Sequence, residues 1–195
     1  GKAPKCVDDF DMAMARASNP ENLRAIVEFF ADPESGEFPE SMCNPYVRAL
    51  SEGKAVFVKI VPKEDSKSDL EKEFGIKNFP WTVVTDWHGN VLENHKGFNL
   101  AKVNSACGSV VDVTRRLEKK LEKDYQDALK KHKKGDKADS KKIMMTLAEI
   151  LKHKGFSSVV GAKKLYQEVA GGVLEQIKDV QFLMDEKKYD EAISK

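Results

Sequence analysis

Apolar positions in the first half of the chain switch between two periods. Phe10, Met12, Ala13 and Ala17 are spaced for one face of a helix that Asp8 or Asp9 would cap and Asn19-Pro20 would end. RAIVEFFA, residues 24–31, then reads as a buried strand, because a short mostly apolar run suits a strand covered on both faces. After the turn-rich DPESGEFPES, Met42, Cys43, Tyr46, Val47 and Leu50 fall on one helical face that Gly53 closes. AVFVKIV, residues 55–61, predicts a second strand. Ser68 predicts the cap of a short helix, SDLEKEF, that stops at Gly75. TVVTDW and VLENHKGF read as two strands of a hairpin joined at His88-Gly89-Asn90.

From about Asn99 the period becomes helical and stays so. Val110, Val113, Leu117, Leu121, Tyr125 and Ala128 advance by three or four and predict one stripe on a long charged helix running to KKHKKGDK. A second helix over roughly 140–154 turns Ile143, Met144, Leu147, Ile150 and Leu151 inward, with Gly155 as its stop. A third, starting at Ser157 or Ser158, carries Val159, Ala162, Leu165, Tyr166 and Val169. Gly171-Gly172 is expected to loosen or interrupt it before Val173, Leu174, Ile177, Val180, Phe182 and Leu183 resume the pattern. The closing KKYDEAISK is similar to the start of a tetratricopeptide helix, but one partial match does not make a repeat of about 34 residues.

Charge sharpens this division. Residues 1–109 hold 13 Lys+Arg against 17 Asp+Glu, whereas residues 110–195 hold 20 against 15, which predicts a boundary near 109/110. An apolar fraction of 41% and a charged fraction of 33% over 195 residues belong to a globular chain that needs no staples. No apolar run approaches the roughly 18–20 residues that cross a bilayer. The N-terminal GKAPKCVDDF lacks a secretory-type apolar stretch, which leaves a removed signal open. Arg115 to Lys142 contains 12 Lys+Arg against 6 Asp+Glu with few aromatics between them, and a solvated helix face explains this better than a nucleic-acid contact. Trp81 and Trp87, on the hairpin, suit packing rather than base stacking.

Cys6, Cys43 and Cys107 are odd in number and widely spaced, so they form neither a CxxC nor a zinc-ligand pair. His88, His95, His132 and His153 show no ligand clustering, and neither a metal nor a cofactor is expected.

The order helix, VEFFA strand, loop, proline-bearing helix, FVKIV strand, helix, FGIKNFPWTVV, hairpin, helix resembles the thioredoxin-like family over about residues 7–108. VEFFA stands where that family has a VDFWA-like strand, and Asn78-Phe79-Pro80-Trp81-Thr82 matches its loop before a cis-proline. The resemblance implies an α/β three-layer sandwich around a central mixed sheet, here with an appended α-helical hairpin or bundle. It implies that Pro80 is cis, and that Glu28 sits at the position of the family's buried acid.

Where the family carries CxxC at a helix N-terminus, two registers fit. Anchoring on Pro45 places Glu37-Phe38-Pro39-Glu40 over the tetrapeptide; counting from VEFFA places Glu34-Ser35-Gly36-Glu37 there. Aligning Pro39 as well favours the first. Either way both cysteines are replaced by glutamate, and a carboxylate cannot attack a disulfide or resolve a mixed one. Glutamates at a helix N-terminus can accept hydrogen bonds from its free amides. They can also make a groove selective for basic or polar ligands, or form a metal or acid/base pair; capping is the plainest account. With no thiol to serve, Glu28 becomes a vestigial buried carboxylate. Cys43 reads first as a small buried residue on the Met42/Tyr46/Val47/Leu50 face, and as a reactive thiol if exposed. A Cys6–Cys107 bond is open.

The sequence therefore predicts a redox-inactive thioredoxin-like domain with a helical tail, binding a protein or peptide through a groove lined by Glu37, Phe38, Glu40, Phe79, Pro80 and Trp81, or scaffolding through the tail. The alternative is a single-thiol oxidoreductase or isomerase using Cys43. Related domains with helical tails are often exported, which points to an extracytoplasmic location.

Overall fold

A strand with no exposed residue anchors the first part of the chain. Ala25–Phe30 (β2) is buried throughout, because both of its faces are covered. Its neighbours are Ala55–Ile60 (β3), parallel to it from Ala25↔Ala55 to Phe30↔Ile60, and Trp81–Thr85 (β4), antiparallel with Phe30 opposite Trp81. Cys6–Val7 (β1) adds to the outer edge of β3 in parallel, and Val91–Lys96 (β5) adds to β4 as the hairpin that the sequence predicts. The sheet order is β1-β3-β2-β4-β5. The structure is a computed structural model and describes residues 2–7, 9–62, 69–135 and 139–185. The predicted Ser68 cap, the closing KKYDEAISK and the side chain of Leu183 lie outside the described residues.

Helices are set between these strands by local signals. Asp9 caps Phe10–Ala17 (α1), accepting from the Met12 amide at 2.7 Å, and Ala13 and Ala17 are fully buried against the sheet. Pro45–Gly53 (α2) precedes β3 and Asp69–Glu73 (α3) precedes β4. Leu100–Lys133 (α4) begins behind Asn99, whose side chain accepts from the Lys102 amide at 3.1 Å. Alternation along β2 then separates two faces. Phe30, with Val83, packs against Leu70 of α3 and Phe74 just after it; Phe29 points the other way and meets Phe38. A mixed five-stranded sheet with this order, these directions and helices on both faces is the thioredoxin-like α/β arrangement.

The chain divides into two compact units, Gly1–Arg116 and Leu117–Lys195. In the first, Val103, Cys107 and Val110 of α4 join the core. In the second, Leu121 and Ala128 pack with Ser140–Ile150 (α5) and Ser157–Asp185 (α6) through Ile143, Leu147, Ile150, Ala162, Leu165 and Val169.

Four expectations are corrected. Met12 is 37% exposed, so α1 buries its two alanines rather than the methionine. Val113 is exposed, and the inward position next to it belongs to Thr114, which is 1% exposed because its hydroxyl donates to the buried carboxylate of Asp86 at 3.3 Å. The helix predicted through Lys154 ends at Ile150. Gly171-Gly172 does not break α6. A glycine costs about 1 kcal/mol relative to alanine in a helix interior, and the flanking helical runs carry that cost.

Candidate functional site

The register decides which loops meet. Since Phe30 lies opposite Trp81 and Trp81 opposite Lys96, the segments that follow β2, precede β4 and follow β5 all emerge at one end of the sheet. The last residue of β3, Ile60, pairs with Phe30 and ends there too. Residues 31–44 and 77–80 therefore emerge at a common end of the sheet, and hydrogen bonds tie the second segment and β4 to Gly97. The Gly97 amide donates to the Pro80 carbonyl at 2.8 Å, and the Thr82 hydroxyl to the Gly97 carbonyl at 2.6 Å. The Phe79-Pro80 peptide bond is cis, as the resemblance implied.

The acidic loop is built from short-range polar turns. Asp32 accepts from the amides of Glu34 and Ser35, at 2.9 and 3.4 Å, and its carbonyl accepts from the Gly36 amide at 2.7 Å. Gly36 has φ +61°, a conformation that favours glycine. The loop is pinned by Lys59, whose ammonium donates to the Gly36 carbonyl at 3.0 Å and lies 5.0 Å from the Phe38 ring centroid. Phe38 itself stacks 5.5 Å from Phe29 and is half-buried, while Glu37 and Glu40 are exposed.

Across the edge, Phe79 and Trp81 pack with Phe30, Phe74 and Ile76, and the Trp81 indole donates to the Asn94 side-chain oxygen. The Asn94 amide in turn donates to the Phe74 carbonyl at 2.9 Å. Phe38 and the pair Phe79/Trp81 thus belong to opposite faces of the sheet and share only its end. Glu28 is fully buried and accepts from the Thr85 hydroxyl at 3.0 Å. Its side chain points to the face opposite Phe29, so the structure does not bring it to Phe38. Lys59, Asn94 and Gly97 were missed from sequence, because their partners are remote along the chain and only Gly97 carries a local signal.

Two readings of the loop change. Glu37 and Glu40 do not lie at the N-terminus of α2; Glu40 opens a separate 3-10 turn, Glu40–Met42. The cap of α2 is Asn44, which accepts from the amides of Tyr46 and Val47 at 3.0 and 3.1 Å, with Pro45 in the first helical position. A residue before proline is disfavoured in helical conformation, so the helix cannot extend back to Cys43. Cys43 is consequently partly exposed rather than a core residue, and Tyr46 is 76% exposed. Asn44-Pro45 was the sequence signal for this start.

All three thiols are free, with Cys6 in an exposed residue and Cys107 buried. Burial pushes the Cys6 thiol up to about 11, partly opposed by Lys59, and the Cys107 thiol up to about 12, partly opposed by Lys54. His95, beside Glu93 at 3.3 Å, is held below the ordinary imidazole value, mainly by burial.

The fold thus defines a thioredoxin-like α/β unit with a carboxylate-bearing loop at the end of its sheet, followed by a helical unit. No protein-family model matches the chain, and no curated protein matches it in sequence. Among solved structures it is similar to a "DsbH Oxidoreductase" at 14% identity and a TM-score of 0.41, over 55% of this chain and 87% of that one. No helix among the described residues is long and apolar enough to cross a membrane.

Proposed function

We propose that the first unit is a binding module without dithiol chemistry, taking an extended peptide of basic character across the sheet end between the Glu37–Glu40 loop and Phe79-Pro80. The observation that carries this reading is the loop itself: the two glutamates of EFPE, the tetrapeptide that the resemblance sets over CxxC, are exposed at the end of the sheet. Phe38 is held by Phe29 and Lys59, so the loop is a shaped element rather than a free strand of chain. Glu34, Glu37 and Glu40 give the rim negative charge, which attracts cationic side chains through solvent and speeds encounter. Trp81 and Phe79 supply apolar surface beside it.

The test is a calorimetric titration with lysine-rich and glutamate-rich extended peptides, repeated on Glu37→Gln/Glu40→Gln. Binding of the basic peptide that the double variant weakens supports the module. Equal binding of both peptides by both proteins refutes it.

A second reading, a single-thiol oxidoreductase, is favoured by one observation. Cys43 is partly exposed and immediately precedes the cap of α2, so its sulfur is open to a disulfide substrate. Reduction of insulin by the purified protein, abolished by Cys43→Ser, decides for it.

A further inference from the structure

At one edge of the sheet, away from the loops just described, a cavity of about 500 Å³ is lined by Lys5, Arg16, Arg24, Glu52, Cys6 and Phe57, among others. Its charge is unbalanced. Glu52 is its one carboxylate, and that group is already engaged by Lys5 at 3.2 Å and by Arg48 at 3.2 Å, chiefly Lys5 holding it below the usual carboxylate range. Arg16 and Arg24 form no ion pair among the described residues. Three cations against one acid leave the lining at +2.

Arg24 is also held in place with a donor unspent. Its backbone amide donates to the Ala17 carbonyl at 3.0 Å, and its Nη2 donates to the Arg16 carbonyl at 3.0 Å, at the C-terminal end of α1. That bond is a structural role for one nitrogen. The Nε–H, in contrast, is buried and has no acceptor among the described residues. A buried donor on a charged group without a partner is costly. Lys5 is anchored as well, its amide donating to the Ser51 hydroxyl at 3.0 Å.

We propose that this cavity binds a small phosphate monoester, its phosphate accepting from Arg24 and Arg16. The guanidinium fork matches phosphate geometry in a way a lone ammonium does not. The net charge of the lining complements a phosphate monoester, which carries about −1.5 to −2 near neutral pH, better than a monocarboxylate. Nothing in the proposed function uses this site, so the two stand or fall separately.

The test is titration of the full chain with phenyl phosphate at constant ionic strength, followed by thermal melting and by alkylation of Cys6, with Cys43 as the internal reference in the peptide mass spectrum. The expected result is a saturable rise in melting temperature and selective slowing of Cys6 labelling, because Cys6 lines the cavity and Cys43 does not. Arg16→Gln/Arg24→Gln should weaken binding at least about tenfold. If the double variant does not fold, Arg16→Gln alone, at an exposed position, should weaken it about threefold, and an unchanged affinity there overturns the proposal. Absence of saturation, equal protection by benzoate, or undiminished binding by the folded double variant also overturns it. Association with phosphatidate/phosphatidylcholine vesicles without binding of phenyl phosphate assigns the basic cavity to a membrane surface and overturns the small-molecule site.

Discussion

Removing the Asp86 carboxylate should loosen the first unit more than any other single polar change at the hairpin. Asp86 is fully buried, and its two oxygens serve four donors. Oδ1 accepts from the His88 amide at 2.8 Å and the Asn90 amide at 2.9 Å; the Asn90 side-chain amide reaches Oδ1 at 3.2 Å and Oδ2 at 3.0 Å; the Thr114 hydroxyl reaches Oδ2 at 3.3 Å. One carboxylate thereby shapes the β4–β5 turn and fastens α4 to it. Hydrogen bonds to a charged group contribute roughly 1.5–3 kcal/mol each and are not additive in a cluster, so Asp86→Ala should cost about 3–5 kcal/mol. Asp86→Asn keeps an acceptor for the two backbone amides but turns a donor toward Thr114 or Asn90, and should cost about 1–2 kcal/mol. Thr114→Val removes only the longest bond and should cost about 0.5–1 kcal/mol.

Urea unfolding followed by tryptophan fluorescence measures this cleanly. The chain has two tryptophans, Trp81 and Trp87, both in the first unit, so the helical unit does not mix into the signal. With a denaturant slope of roughly 1–3 kcal/mol per molar urea, the Asp86→Ala midpoint should fall by about 2 M. A loss below about 1 kcal/mol for Asp86→Ala, or an equal loss for Thr114→Val, would refute the idea that this carboxylate organises the turn and the helix together.

Three further outcomes are expected. A Cβ at Gly161 would lie 2.6 Å from Cζ of Tyr125, so Gly161→Ala should destabilise the helical unit by about 1–3 kcal/mol, with most of the loss recovered in Gly161→Ala/Tyr125→Leu; melting by circular dichroism tests the coupling. Alkylation near neutral pH should modify Cys43 first and Cys6 slowly, its thiol being pushed up to about 11, while Cys107 should react only after denaturation; prompt native-state labelling of Cys107 would contradict its burial. The folded state holds His95 below its unfolded value of about 6.5, so its contribution to stability is present above that pH and is lost as pH falls below it toward the folded value. His95→Gln should flatten that part of the stability profile, and an unchanged acid limb would rule out this source.

Periodicity and turn chemistry alone located β2, β3, the β4–β5 hairpin and the three tail helices, because each is specified by residues within a few positions of one another: the apolar run at 25–30 interrupted only by Glu28, the Gly89 turn, the 3.6-residue stripe from Ile143 to Ile150. The two glutamates of the loop, Glu37 and Glu40, were equally legible as chain composition, and both are exposed. Only the folded chain decided which face each side chain takes. Cys43 left the core because Asn44-Pro45 starts the helix after it, and Thr114 displaced Val113 because the buried carboxylate that needs its hydroxyl is 28 residues away. Glu28 and Phe38 parted because strand alternation sends Glu28 and Phe29 to opposite sides. The cation-lined cavity joins Lys5, Arg16, Arg24 and Glu52, which share no local pattern. Local sequence sets backbone preference through short-range sterics and hydrogen bonds, whereas burial and charge pairing depend on neighbours that the chain supplies only after it has folded.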